Sequence, residues 1–166
     1  MEIRRLGIGD AELFRAVRLR ALEDAPYAFS SWFAREAALD SAFWNDRVAE
    51  SAAATTGAIF VALDRGQSVG VAGGFFPDEQ RAAAVLWGMW VDPSARRGGV
   101  GHALLEAVAG WARDAGAQRL RLALAQDKGS EPAAALYRTR GFAETGESEA
   151  LESNPSSIAI LMSRAL

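Results

Sequence analysis

The chain of 166 residues has no cysteine. That excludes disulfides, a cysteine nucleophile and thiolate metal sites. It has one histidine, His102, which is too few for an imidazole-based metal centre, so no metal is expected. Arg, Asp and Glu interrupt every apolar run before it reaches membrane-spanning length, so no membrane partner is expected. Met1-Glu2-Ile3-Arg4-Arg5 lacks the apolar core of a secretory signal. The net charge of −3 argues against nucleic acid as the main partner. No internal repeat, long linker or low-complexity tail occurs. What remains is a soluble, cytoplasmic chain that is 50% hydrophobic and long enough to form one domain over residues 1–166.

The stretch from Val91 to Leu105 organises this chain. Before it, the apolar run Ala84 to Val91 reads as a strand. After it, Leu104, Leu105, Val108, Trp111 and Ala112 recur with helical period. Between them lies a loop with two arginines, Arg96 and Arg97, and the glycines Gly98, Gly99 and Gly101, followed by His102. The first turn of a helix has amides without internal partners, and its dipole favours anions. Glycine lets such a backbone approach a ligand closely. Strand, loop and helix start together predict a phosphate or pyrophosphate site. The P-loop string Gly-x-x-x-x-Gly-Lys-Ser/Thr is absent. The dinucleotide fingerprint fails because Leu104 stands where its third glycine would fall.

Arg96-x-x-Gly99-x-Gly101 resembles the acyl-CoA pyrophosphate loop of the GNAT superfamily of N-acetyltransferases. Downstream, Ser130 to Phe142 is similar to that family's segment Asn-x-x-Ala-x-x-Leu-Tyr-x-x-x-Gly-Phe. Ala133, Leu136, Tyr137, Gly141 and Phe142 are in register, and Ser130 stands where the family usually has asparagine. The resemblance runs from about Gly57 to the C-terminus. Asp24 to Phe29 looks more loosely like a segment of one bacterial branch.

Taken in order, Glu2 to Leu6 alternates as a first strand, and Asp10 is the expected N-cap of a helix with Leu13, Val17 and Ala21 on its apolar stripe. Pro26 ends it. A second helical stretch runs through Phe43, Trp44, Arg47 and Val48. Ile59 to Leu63 and Val69 to Phe76 form a hairpin across Asp64-Arg65-Gly66-Gln67, and Ala83 to Val91 is the next strand. The motif helix runs to about Ala115, with Gly116 as its C′ residue. The strand Arg119 to Ala125, the helix Ser130 to Arg140 and two last strands follow, with Asn154-Pro155 as the final turn. The order β-α-α-β-β-β-α-β-α-β-β is α/β with a mixed central sheet, in agreement with the GNAT-like fold.

The resemblance implies transfer of an acetyl group from acetyl-CoA directly to an amine, with the CoA arm in a gap where two central strands splay. It implies that Arg96, Arg97, Gly98, Gly99, Val100, Gly101, His102 and Ser130 bind the cofactor, and that backbone amides of Trp90 and Val91 face the thioester. It also implies that Tyr137 acts as the catalytic proton donor. Many relatives carry a glutamate base where Val85 stands here; Glu79, Glu36 or a water chain are the substitutes. Trp87 and Trp90, three apart on a strand, are expected on opposite faces. Phe29, Trp32 and Phe33 are either core or acceptor pocket. The acceptor is a small-molecule or peptide amine of unspecified identity, and a homodimer is compatible with the pattern. The rival reading is an acyl-CoA-binding module without transfer, which serves as a sensor or structural partner.

Overall fold

The computed structural model describes residues 1–166. Its elements are β1 (Glu2–Arg5), α1 (Ala11–Asp24), α2 (Phe33–Ala37), α3 (Ser41–Ala53), β2 (Gly57–Asp64), β3 (Gln67–Phe75), β4 (Ala83–Val91), α4 (Val100–Asp114), β5 (Arg119–Ala125), α5 (Glu131–Thr139), β6 (Ala143–Leu151) and β7 (Asn154–Ala165). One helix more than expected is present. α2 spans only five residues, too few for a periodic signal.

The strands form a seven-stranded sheet in the order β1-β2-β3-β4-β5-β7-β6. All neighbours are antiparallel except β4 and β5, which α4 joins as a crossover. Alternation along the strands divides the core in two. Ala58, Ala62, Ala72, Leu120 and Leu122 pack with Leu104, Leu105 and Val108 of α4 and with Tyr137 of α5. Ile59, Val61 and Val71 face the other way, against Phe14 and Val17 of α1 and Trp44 and Val48 of α3. Neighbouring residues on a strand thus serve opposite cores, as a period of two requires.

Three local expectations change. Asp10 holds the N-cap position of α1, as expected, but its side chain makes no bond to the first-turn amides. Its carboxylate accepts two bonds of 2.8 Å from the Arg4 guanidinium and one of 2.8 Å from the Gly7 amide. The bond from Arg4 above all holds the Asp10 carboxyl below its ordinary pKa. The last turn lies at Glu152-Ser153, because Leu151 already pairs with Asn154. Asn154 and Pro155 belong to β7.

Trp87 and Trp90 pack on the same face, against α1 and α3. Gly73 pairs with Trp87 and Val71 with Trp90, so β4 carries one more residue than β3 between these rungs. Gly88, at φ +63°, absorbs that residue as a bulge and reverses the alternation. By contrast, Gly116 ends α4 as expected. It has φ +97°, its amide donates to Arg113 O at 2.9 Å, and the Ala117 amide donates to Ala112 O at 2.9 Å.

Candidate functional site

The site begins where β4 stops. The Asp92 amide still donates to Val69 O on β3 at 2.9 Å. Its carboxylate then accepts from the Ser94 hydroxyl at 2.6 Å and from the Ser94 amide at 2.9 Å. These bonds tighten the turn at Pro93–Ala95 and lower the Asp92 pKa, the hydroxyl contributing most. Arg97 at φ +63° and Gly99 at φ +81° then turn the chain into α4. No side chain caps that helix. The Ala103 amide bonds Gly99 O at 3.0 Å, which leaves the amides of Val100, Gly101 and His102 without helical partners. A Cβ on Gly99 would meet nothing within 4 Å, so the space above the turn is open. An uncapped helix start under open space fits a phosphate group.

β4 and β5 pair only at Ala83–Arg119, Ala84–Leu120 and Val85–Arg121. Beyond Val85 they part, while β5 stays paired with β7 to Ala125. A cleft of about 640 Å³ fills the gap, lined by Leu86 to Val91, by Leu122 to Ala125 and by α5. Successive amides on a strand point to opposite edges. The Asp92 amide points to β3, so the Val91 amide faces the gap and that of Trp90 is turned to β3.

The cleft wall contains no carboxylate. Its charged side chains are Arg96, Arg97 and Arg140, in a chain of net charge −3. Arg140 escaped the sequence reading because it follows the motif tyrosine as an ordinary helix-end cation. Arg96 lines the cleft with its guanidinium partly engaged: Nη2 donates to Asp24 at 2.5 Å and Nε to Val91 O at 3.0 Å. Asp24 also accepts from the Trp90 indole at 2.8 Å. Arg97 lines the cleft and makes no ion pair.

Tyr137 comes from the second turn of α5 and is buried. Its hydroxyl donates to Met89 Sδ at 3.5 Å, and its ring packs on Phe142 at 5.7 Å between centroids. Burial pushes the phenol pKa well above its ordinary value, so the group stays protonated. Ser130 lines the same cleft but does not cap α5 with its hydroxyl. Asp127 takes the capping role one turn earlier, accepting from the Gly129 amide at 2.8 Å. His102 also lines the cleft. Of the substitutes for the missing glutamate, Glu79 lies in the exposed turn before β4. Glu36 is buried and accepts two hydrogen bonds, of 2.9 and 2.7 Å, from Arg18. That pair had one signal in the sequence: Arg18 stands four residues after Phe14 and four before Leu22, on the buried stripe of α1.

A family model described as the acetyltransferase (GNAT) family matches residues 17–142. The chain belongs to this family. Among solved structures, the ribosomal-protein-alanine N-acetyltransferase of Brucella melitensis is similar at 24% identity, with a TM-score of 0.78 and 100% of both chains covered. PaiA N-acetyltransferase of Thermoplasma acidophilum, solved with coenzyme A, has 15% identity and a TM-score of 0.79, covering 99% of this chain and 98% of its own. YncA of Salmonella typhimurium, solved with acetyl-CoA, has 16% identity and a TM-score of 0.75, covering 100% and 94%. At these identities the likeness establishes the GNAT fold. No curated protein matches significantly in sequence. In the GNAT frame, the opening between β4 and β5 and the uncapped start of α4 form one continuous feature.

Proposed function

We propose that this GNAT chain is an acetyl-CoA-dependent N-acetyltransferase that transfers the acetyl group directly to an amine. The observation that carries this reading is the parting of β4 and β5 after Val85 and Arg121. It puts the free amides at the start of α4 and the Tyr137 hydroxyl on one cleft. Two solved structures of this fold hold CoA or acetyl-CoA, which supports the choice of donor.

Acetyl-CoA supplies an acetyl group activated as a thioester. The amides of Val100, Gly101 and His102, with Arg97 and Arg140, hold its phosphates. Ser130 offers one hydroxyl to the arm. The Val91 amide, fixed in the gap, stabilises negative charge that develops on the acetyl oxygen. As the C–N bond forms and the C–S bond breaks, Tyr137 gives its phenolic proton to the leaving sulfur. The proton lost by the amine restores the phenol, so no net proton is consumed. Burial weakens the phenol as an acid, and a thiolate leaving beside it is made more basic by the same surroundings, so the two shifts run the same way.

The test is thiol release from acetyl-CoA in the presence of a panel of amines. Release that depends on the amine supports transfer. Tight acetyl-CoA binding with no release from any amine would refute it.

A further inference from the structure

A second cavity, of about 360 Å³, lies between the sheet and the helices α1 and α3. Its walls are partly aromatic, with Phe14, Phe43, Trp44 and Trp87 among them. Its charges come as two opposite pairs: Arg18 with Glu36, and Arg47 with Glu50. Trp87 lines this cavity and the cofactor cleft alike, so the two adjoin at its ring.

Arg18 is the unusual member. It is 7% exposed, it lies over the rings of Phe29 at 4.9 Å and Trp87 at 5.8 Å, and Glu36 fixes its Nε and Nη2. Nη1 is buried and has no hydrogen-bond partner. Stability does not explain this arrangement. A buried ion pair is commonly no better than an apolar pair of the same volume, and an unpartnered charged donor is a cost. Position 18 lies on an apolar stripe where leucine would pack. The direction of Nη1 supplies a reason. A Cβ placed on Gly88 would meet one atom within 4 Å, Nη1 itself, at 3.4 Å. The free end of the guanidinium is therefore turned to the backbone of the bulge, on the stretch of β4 that has already left β5.

We propose that this cavity admits the acceptor, and that the acceptor is a free α-amino acid with an apolar or aromatic side chain whose carboxylate is taken by Arg18. This rests on the acetyl-transfer reading above and names its substrate. A guanidinium fork matches a carboxylate in shape and charge. Glu36 holds two of the nitrogens, which leaves Nη1 as the one that meets the ligand. The backbone of an α-amino acid places its nitrogen only about 2.5 Å from its carboxylate carbon. A carboxylate on Nη1 thus keeps the amine beside Gly88, at the edge of the thioester gap, whereas a long spacer would carry it away. The aromatic walls receive the side chain, and the volume suits a small ligand.

The experiment pairs each acceptor with its decarboxylated counterpart: leucine with isoamylamine, and phenylalanine with 2-phenylethylamine. Wild-type kcat/KM should favour the amino acid by about 10²-fold, since a site built for a polar group rejects ligands that lack it. Arg18→Gln leaves Glu36 buried and unpaired, so the double variant Arg18→Gln/Glu36→Gln is measured beside it. In the double variant the preference should vanish, with KM for acetyl-CoA unchanged. Equal or better use of the decarboxylated amines by wild type overturns the proposal, and so does a preference that survives in the double variant. Calorimetry of N-acetyl-leucine against N-acetyl-isoamylamine, with CoA present, reads binding without turnover. If no amine is acetylated, the transfer reading fails. In that case, carboxylate-dependent binding lost in the double variant still upholds the Arg18 site, and its absence overturns that too.

Discussion

The guanidinium of Arg96 is held by the carboxylate of Asp24, at 2.5 Å, across the end of β4. Its Nε also bonds Val91 O at 3.0 Å. The family-motif arginine therefore braces the strand end against α1, and the neighbouring Arg97 is free to meet phosphate. Arg97→Ala should raise the Kd for acetyl-CoA by about 10-fold, the effect of one lost charge-assisted bond. That loss should shrink as salt is added. Arg96→Ala should change Kd by less than about 3-fold, since exposed ion pairs contribute little. Calorimetry at two ionic strengths checks both values.

Gly99 carries a second expectation. At φ +81° it adopts a backbone conformation that valine resists, above the open space assigned to phosphate. Gly99→Val should weaken acetyl-CoA binding severely in a chain that keeps its fold, because the turn is exposed and no core packing depends on it. Circular dichroism and calorimetry on the same sample separate folding from affinity.

Ser130→Ala should leave stability within about 0.5 kcal/mol of wild type, since the hydroxyl makes no capping bond. The KM for acetyl-CoA should rise a few-fold. Denaturant melts and steady-state kinetics give the two numbers. A loss near 1 kcal/mol would instead mark the Ser130 hydroxyl as a cap of α5.

Asp10 makes stability depend on acid. Its folded pKa is depressed, chiefly by the hydrogen bond from Arg4. The unfolded chain thus binds the proton more readily. The contribution is present in full above the ordinary carboxyl pKa near ~3.9 and is lost as pH falls through the lower, folded value. Asp10→Asn should cost about 1 kcal/mol at neutral pH and flatten the acid limb of the stability curve. Urea melts between neutral and strongly acid pH test this.

The parts of the fold and site that could be read in the sequence are those built from local pattern. The α4 stripe, the glycines before it and Gly116 after it each act within a few residues, so spacing alone places them. The register of Ala133 to Phe142 places Tyr137 on α5 in the same way. Long-range features were not legible. The Gly88 bulge depends on the register of β3 against β4, and it turned Trp87 and Trp90 to one face. A glycine inside a strand pattern was the available signal. The Arg18–Glu36 pair joins residues 18 apart on two helices. The commitment of Arg96 joins residues 72 apart. Propensity and period carry no information about such partners. At Asp10 the cap position is legible but the partners of the side chain are not: Arg4 and Gly7 claim it instead of the first turn.

The most direct measurement compares acetyl transfer by wild type and Tyr137→Phe, with acetyl-CoA affinity determined in parallel. The buried phenol donates to Met89 Sδ at 3.5 Å, inside the gap where the thiolate would leave. Phenylalanine keeps the ring against Phe142 and removes only the hydroxyl. The expected result is a fall in kcat of about 10²-fold or more, with acetyl-CoA affinity and melting behaviour unchanged. Turnover at the wild-type rate would contradict the account and reduce Tyr137 to a packing residue.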